Sequence, residues 1–185
     1  YKDRKCKIYL LHGNMSDEEL HSLYNHPKIR SYFTATHGEG FGLPIYEAAY
    51  SGLPVAAPAW SGHVDFLYTK QTNKKTGKEK KTSMFSKIRH ELKQIQPEAV
   101  WENVLDADSK WCFVDEKHFK KTLRECYKNN KAKTRIAEKL KDYLENEFSS
   151  DKQYKRFFDS IDEFLNSEEE SEGWQNILNK VVNYD

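Results

Sequence analysis

The stretch G-E-G-F-G-L-P-I-Y-E-A-A-Y-S-G-L-P-V-A-A-P at residues 38–58 decides the fold of this chain. Residues 43–50 predict a helix, because a proline stands in the first turn and a glycine follows the end. An apolar, β-rich run, I-R-S-Y-F-T-A-T, precedes it at residues 29–36, and a short apolar run follows it at residues 54–58. Strand, glycine-rich loop, helix and strand at this spacing predict a βαβ unit with parallel strands.

The residues before this unit show the same alternation. Residues 6–11, C-K-I-Y-L-L, predict a buried strand that ends in a turn. A helix is expected next, because Ser16 and Glu19 have the spacing of a capping box, and Pro27 ends it. We therefore expect an α/β fold whose core, residues 6–67, is a parallel sheet with helices on both faces.

The composition excludes several classes of protein. The 185 residues include 30 Lys and Arg and 29 Asp and Glu, giving a formal net charge of +1. This balance argues against a dedicated nucleic-acid binder and against a membrane-surface protein. With 4 Trp, 11 Tyr and 10 Phe, the chain has enough large side chains to build a core although 32% of its residues are charged. We expect one globular domain over residues 1–185.

The cysteines and the apolar runs indicate the compartment. Cys6, Cys112 and Cys126 are far apart and form no C-x-x-C pair, which disfavours a disulfide framework and a zinc site. No apolar run approaches the roughly 20 residues of a membrane-spanning helix, and no signal segment precedes Cys6. We expect reduced thiols and a cytoplasmic location. Because the chain begins at Tyr1 rather than at a methionine, we also expect it to be an excerpt from a longer polypeptide.

Residues 68–110 form a lysine-rich insertion followed by predicted helical segments. Six lysines and one glutamate lie within residues 70–81. This run predicts a solvated hairpin or loop, and the alternative is contact with an anionic partner such as a membrane surface or a substrate phosphate. Residues 83–108 are amphipathic and are predicted to be helical in parts, with Pro97 starting a new helix.

Residues 111–185 are predicted to hold a closing strand and a helical C-terminal tail. The strand is expected at residues 111–115. The helices are expected at residues 115–129, 132–148, 150–165 and 174–182.

The glycine-rich loop is the candidate site. Gly38, Gly40 and Gly42 lie between a predicted strand and the start of a predicted helix, where backbone N–H groups are unpaired and the helix dipole is positive. Glycines there allow a diphosphate to approach the main chain, so the loop is a candidate phosphate cradle. Glu39 lies in the loop and Glu47 in the helix, where a carboxylate can accept hydrogen bonds from a ribose diol. The structural alternative is that the helix dipole alone favours a glutamate at this position.

These residues resemble the donor-site motif of retaining glycosyltransferases of family 4, which have the two-domain GT-B architecture. The defining element is a pair of glutamates separated by seven residues, here Glu39 and Glu47. The resemblance covers residues 7–67 and returns weakly at residues 111–115 and 148–150. It implies a Rossmann-like GT-B C-terminal domain that binds a nucleotide sugar, and transfer of a hexose-type sugar from a nucleotide-diphosphate sugar to an acceptor.

The resemblance also implies roles for individual residues. Glu39 would be catalytic, facing the donor sugar near the reacting centre, and Glu47 would bind the ribose. The remaining donor-binding residues would be Gly38, Gly40, Phe41, Gly42 and Leu43 around the sugar and the distal phosphate, and Gly13, Asn14 and Met15 near the base. GT-B enzymes generally work without a metal, and no Asp-x-Asp pair or cofactor site is seen here, so neither a metal nor a cofactor is expected.

The departures from the family pattern limit this expectation. The upstream strands that carry the diphosphate-neutralising Arg and Lys are absent from the 185 residues, and so is the N-terminal acceptor-binding domain. We expect Arg30, Lys74 and Lys75 to be solvated rather than substitutes for those cations, and His37 and His63 to be structural. The isolated chain is expected to bind a nucleotide sugar without turnover. The alternatives are a non-catalytic nucleotide-sugar-binding module or partner subunit, and a GT-B epimerase. No nucleic-acid partner or transmembrane segment is expected, whereas peripheral membrane contact stays open.

Overall fold

The computed structural model describes residues 6–72 and 76–165, and the chain divides into two compact units, Tyr1–Lys141 and Asp142–Asp185. The expectation of a single domain stays a prediction. The described helices are α1 (Asp17–Tyr24), α2 (Leu43–Tyr50), α3 (Glu116–Lys128), α4 (Asn130–Glu147) and α5 (Ser150–Leu165). The described strands are β1 (Tyr32–Phe33), β2 (Val55–Pro58), β3 (Tyr68–Thr72), β4 (Glu79–Ser83), β5 (Ser86–Ile88), β6 (His90–Gln94) and β7 (Lys110–Val114), and short 3-10 turns lie at Gly62–Asp65 and Pro97–Ala99.

A small parallel sheet of three strands, in the order β1-β2-β5, forms the centre of the first unit. All four residues of β2 are buried, as expected for a central strand with neighbours on both sides. Helix α2 packs against β2, and α3 packs against β5. The core joins Ala56, Ile88 and Cys126, with Phe33 and Phe119 packed against them. The chain is therefore a mixed α/β protein, as the βαβ pattern predicts.

The strand expected at residues 6–11 is absent, and this prediction is wrong. The segment has no regular secondary structure, and Ile8 and Leu10 are 68% and 89% exposed. An apolar run becomes a strand only where a neighbour pairs with its backbone. Within the described residues, β1 pairs only with β2, over two residues, and no strand pairs with residues 6–11. The strand expected at residues 29–36 is correspondingly reduced to Tyr32–Phe33.

The two helices predicted around the glycine-rich loop are both present. The capping box of α1 is complete, because the Glu19 N–H donates to the Ser16 hydroxyl at 3.2 Å and the Ser16 N–H donates to the Glu19 carboxylate at 2.8 Å. Helix α2 has the predicted bounds, with Pro44 in its first turn and Gly52 after its end at φ +79°. Both ends of α2 are therefore set by local sequence signals.

The lysine-rich segment is a hairpin, one of the two predicted alternatives. Strands β3 and β4 pair antiparallel to each other and form a separate two-stranded sheet. The helices expected within residues 83–108 are wrong, because this stretch forms β5, β6 and only a 3-10 turn at Pro97–Ala99. In β5, Ser86 and Ile88 are buried while Lys87 is exposed, which is the two-residue period of a strand rather than a helical one.

The predicted closing strand is β7, but it does not extend the parallel sheet. It pairs antiparallel with β6 in a two-stranded sheet of its own. Helix α3 follows as expected, and the Asp115 carboxylate caps it by accepting a hydrogen bond from the His118 N–H at 2.8 Å. This bond is the main reason that the pKa of Asp115 is lowered.

The C-terminal helices α4 and α5 are confirmed, and the helix expected at residues 174–182 lies outside the described residues. Within the second unit, the Glu147 carboxylate accepts hydrogen bonds from Lys152 at 2.7 Å and Arg156 at 2.9 Å. The Lys152 bond is the first cause of the lowered pKa of Glu147. Helix α5 exposes Tyr154, Phe157 and Phe158. In the described part of the chain, no helix has the length and apolar character needed to cross a membrane.

Candidate functional site

The N-terminus of α2 is set by Gly42, which is the N-cap residue. Its backbone is left-handed, with φ +90° and ψ +54°, a conformation that glycine adopts without strain. A Cβ atom on this residue would lie 3.1 Å from His63 Cβ and 3.3 Å from Ile45 Cδ1. Both the dihedral angle and the packing therefore require glycine at this position.

The loop leaves four backbone donors unused at the start of α2. Within the part of the chain that the structure describes, no acceptor is found for the N–H groups of Gly40, Phe41, Gly42 and Leu43. Gly40, Phe41 and Leu43 are exposed, whereas Gly42 is buried, so three of these four residues are open to solvent. The Phe41 ring also packs on Phe66, with 5.0 Å between ring centroids. Unpaired amides at the positive end of a helix dipole form an anion-binding arrangement.

The Ser61-Gly62 turn holds this loop in place. The Ser61 hydroxyl donates to the Glu39 carbonyl at 2.6 Å and accepts from the Glu39 N–H at 2.9 Å. The Gly62 N–H donates to the same carbonyl at 3.1 Å. A Cβ on Gly62 would lie 1.7 Å from the Gly40 carbonyl oxygen, so the two backbones are in direct contact. Ser61 itself has φ +78°.

Sequence analysis did not include Ser61 and Gly62 among the site residues. The signal that identifies them is the S-G pair shortly after β2, because a glycine there allows a close backbone approach. Gly38 belongs to the same arrangement. Its carbonyl accepts from the Thr36 hydroxyl at 2.9 Å, and its Cβ position lies 3.6 Å from the Ser61 hydroxyl oxygen. Gly38 is thus placed where it shapes the loop.

Glu47 lies in a cavity of about 350 Å³ between α1 and α2. Asp17, His21 and Tyr24 also line this cavity. The Tyr24 hydroxyl donates to the Pro44 carbonyl oxygen at 3.4 Å and is also within hydrogen-bonding reach of the Glu47 carboxylate. Burial raises the pKa of Tyr24 to about 12, and the negative charge of Glu47 is the second cause. The Glu47 carboxylate is therefore held at the wall of an open cavity.

The charges of the two candidate carboxylates, Glu39 and Glu47, both affect the pKa of Tyr32. Burial raises the pKa of the Tyr32 hydroxyl, and the charges of Glu39 and then of Glu47 raise it further. Glu39 and Glu47 are both partly buried. The two glutamates that the sequence separates by seven residues therefore both lie near Tyr32 of β1.

The residues expected to contact the base line a second cavity. Gly13, Asn14 and Met15 line a second cavity, of about 730 Å³, together with residues of α1 such as Glu18. This cavity shares no lining residue with the one that contains Glu47. No residue of the glycine-rich loop is among the described lining residues of either cavity, and the role of residues 13–15 stays a prediction.

The two histidines near the loop have structural hydrogen bonds, as expected. His37 Nδ1 lies 2.7 Å from the Cys112 carbonyl oxygen, and its ring stacks on Trp111 with 4.9 Å between centroids. His63 is fully buried, and its Nε2–H donates to the Pro58 carbonyl at 2.8 Å. His63 Nδ1 has no partner among the described residues. Both side chains connect the loop to its neighbours.

The described residues contain no group of three His, Cys, Asp or Glu side chains arranged to hold a metal ion. Of the candidate cations, Arg30 is exposed, and Lys74 and Lys75 lie outside the described residues. Comparison of the chain with family models, with curated proteins and with solved structures finds no match.

Proposed function

We propose that this chain is the donor-binding portion of a retaining glycosyltransferase with a Rossmann-like GT-B domain. It would transfer a hexose-type sugar from a nucleotide-diphosphate sugar to an acceptor, as the family-4 resemblance implies. The observation that carries the proposal is the α2 N-terminus, where four backbone N–H groups find no acceptor among the described residues and where the loop and the helix also supply Glu39 and Glu47. Backbone N–H groups can bind the phosphates, and carboxylates can accept hydrogen bonds from sugar hydroxyl groups, so together they match the two parts of a nucleotide sugar.

In this proposal the main chain stabilises the leaving group. Breaking the bond between sugar and diphosphate develops negative charge on a phosphate oxygen. The amides of residues 40–43 and the dipole of α2 would face that charge, and this role is supported by Gly42 and the Ser61-Gly62 turn, which hold the loop. Pre-oriented donors stabilise developing charge without reorganisation, which is usually the largest single electrostatic contribution to catalysis.

The carboxylates would take separate parts of the donor. Glu47, at the wall of its cavity, would accept hydrogen bonds from the ribose diol, and Glu39 would face the sugar. The role of Gly13, Asn14 and Met15 at the base rests on the resemblance alone, because their cavity is separate from that of Glu47.

A second candidate is a non-catalytic nucleotide-sugar-binding module. The observation that favours it is the charge of the Glu47 cavity, which contains Asp17 and Glu47 but no Lys or Arg among its described lining residues. Strong turnover with a sugar donor would exclude this second candidate.

Calorimetric titration of two alanine variants tests the proposal. Against a panel of nucleoside diphosphates and their hexose conjugates, Glu47→Ala should weaken both ligand types by about 1.5 to 3 kcal/mol, or roughly 10- to 150-fold, through lost hydrogen bonds to a charged group. Glu39→Ala should spare the bare diphosphate and reduce only the additional affinity that the sugar contributes. Glu138→Ala, an exposed glutamate on α4, is the matched control and should change neither.

Equal losses for both ligand types in both variants would contradict the assignment. Absence of binding by the parent chain would contradict it as well. Because helix amides rather than a divalent ion hold the phosphates in this proposal, affinity should persist in EDTA. Affinity that disappears in EDTA and returns with magnesium or manganese would count against it.

A further inference from the structure

The β3–β4 hairpin lies in a strongly positive segment of the chain. Residues 68–83 contain six lysines and one glutamate, a net charge of +5, whereas the whole chain has a net charge of +1. The remaining residues of the chain therefore have a net charge of −4. Among the described strands β3 and β4 pair only with each other, so Lys70, Lys80 and Lys81 lie on a separate ribbon rather than on the parallel sheet.

The hairpin places like charges next to each other. Lys70 and Lys81 are directly opposite in the β3–β4 register, so their side chains share one face of the ribbon. The Lys81 and Lys87 ammonium groups lie 4.8 and 4.9 Å from the centre of the same Tyr68 ring. They are therefore less than about 10 Å apart, which is within the screening length of physiological salt or close to it. We call Lys70, Lys81 and Lys87 around Tyr68 the lysine face.

This arrangement combines an unfavourable and a favourable contribution: the opposed charges of Lys70 and Lys81 repel each other, whereas Lys81 and Lys87 each form a cation–π contact with Tyr68. Like charges directly opposite each other in an antiparallel pair are destabilising. Within the described residues, none of the three lysines forms an ion pair that would offset the repulsion. All three are exposed, whereas Thr69, on the opposite face, is 5% exposed. The repulsion is thus directed to solvent, where an anionic partner would relieve it.

We propose that the lysine face is a docking surface for an anionic membrane, which it recognises through the negative headgroups of the lipids. Lys70 and Lys81 lie on an open ribbon and Lys87 lies on the following strand, β5, and residues 68–83 contain no arginine, the residue suited to bidentate phosphate contacts. The one aromatic ring on the face, Tyr68, is flanked by two ammonium groups and so is not free to stack on a base. Diffuse lysine charge without stacking or forked donors matches the electrostatics of a lipid surface better than those of a nucleic acid.

The inference is independent of the proposed glycosyltransferase role, because it concerns other residues and a different assay. Sedimentation of the 185-residue chain with vesicles tests it. Binding is expected to phosphatidylcholine vesicles that contain about 30 mol% phosphatidylserine, and not to phosphatidylcholine alone. Since each lysine near such a surface contributes about 1 kcal/mol, the variant with Lys70, Lys81 and Lys87 changed to Gln should partition about 100-fold less.

Two variants separate the lysine face from total charge and from folding. Changing Lys28, Lys128 and Lys139 to Gln removes the same charge from exposed positions elsewhere and should alter partitioning less than about threefold. Changing the three lysines of the face to Arg keeps the charge and should keep the binding. Lys81→Gln should lower partitioning about fivefold while leaving the thermal midpoint nearly unchanged, because it removes both the repulsion from Lys70 and the cation–π contact with Tyr68, and a merely structural lysine would not alter partitioning in this way.

Three results would overturn the proposal. Equal binding to neutral and anionic vesicles would show that the lysine charge is not used. An equal loss in the Lys28, Lys128 and Lys139 variant would show that only net charge matters. Tighter binding of a duplex or single-stranded oligonucleotide than of the vesicles, at the same salt and phosphate concentration, would assign the face to nucleic acid instead.

Discussion

Gly62→Ala is the perturbation that most directly tests how the candidate site is held. In the folded chain, the Cβ of this alanine would lie 1.7 Å from the Gly40 carbonyl oxygen, 2.7 Å from the Gly40 carbonyl carbon and 3.0 Å from the Glu39 carbonyl oxygen. All three atoms are backbone, so no side chain can rotate away. The two segments must separate by roughly 1.5 Å to restore ordinary contact distances.

That separation has a calculable effect on stability. It would break the three hydrogen bonds that join the Glu39 backbone to Ser61 and Gly62, with lengths of 2.6, 2.9 and 3.1 Å. At about 0.5 to 1.5 kcal/mol each, the free energy of unfolding should fall by about 2 to 4 kcal/mol. If the loop binds a nucleoside diphosphate as proposed, this displacement should also weaken that binding in the variant that still folds.

Gly40→Ala is the matched control, because it adds the same methyl group to the other segment of the contact. Its Cβ would meet no atom within 4 Å, and its φ is not positive. Urea unfolding should show Gly40→Ala unchanged or up to about 1 kcal/mol more stable, since alanine restricts the unfolded chain. If the two variants unfold at the same urea concentration, or if Gly62→Ala is as stable as the parent, the proposed contact between the segments is wrong.

Three further outcomes follow from the geometry. Ser61→Ala should lower the free energy of unfolding by about 1 to 3 kcal/mol in urea titrations, because it removes both hydroxyl bonds to Glu39; a loss below about 0.5 kcal/mol would contradict this. Burial and the Glu47 charge raise the pKa of Tyr24 to about 12, so the stability that the neutral Tyr24 hydroxyl contributes is complete below about pH 10 and is lost as the pH rises toward 12. In an alkaline titration followed by tyrosinate absorbance, Tyr24→Phe should remove the step at the highest pH, and titration of every tyrosine near pH 10 would refute this prediction. Cys6 is exposed while Cys112 and Cys126 are buried, and burial raises the pKa of the Cys112 thiol. A thiol reagent should therefore label Cys6 first, and mass spectrometry of the native chain should show one rapid modification rather than three.

The parts of the fold that sequence analysis predicted depend on short-range interactions. The capping box of Ser16 and Glu19, the start of α2 after Gly42 and the Asp115 cap of α3 each involve residues within one helical turn. Such signals are complete in a few consecutive residues, so the bounds of α2 agree with the prediction. The candidate loop was identifiable for the same reason, because Glu39, the glycines and Glu47 lie within ten residues.

The strands were predicted less well, because a strand depends on a neighbour that is distant in sequence. Residues 6–11 have the apolar composition of a strand, yet no described strand pairs with them and they remain exposed. Residues 83–108 were expected to be helical in parts, but within them β5 pairs with β2 and β6 pairs with β7. Amphipathic sequence alone does not distinguish these outcomes when the segments are short.

The sequence by itself therefore determined the local elements around the glycine loop and the pairing of a helix start with two glutamates. The tertiary structure alone decided how that loop is held. Ser61 lies 22 residues after Glu39, and the Gly62 contact with Gly40 arises only when β2 brings the following turn back against the loop. It also decided that residues 13–15 line a cavity of their own. Contacts between backbones that are distant in sequence leave no periodic pattern, because any glycine permits them and only the fold selects one.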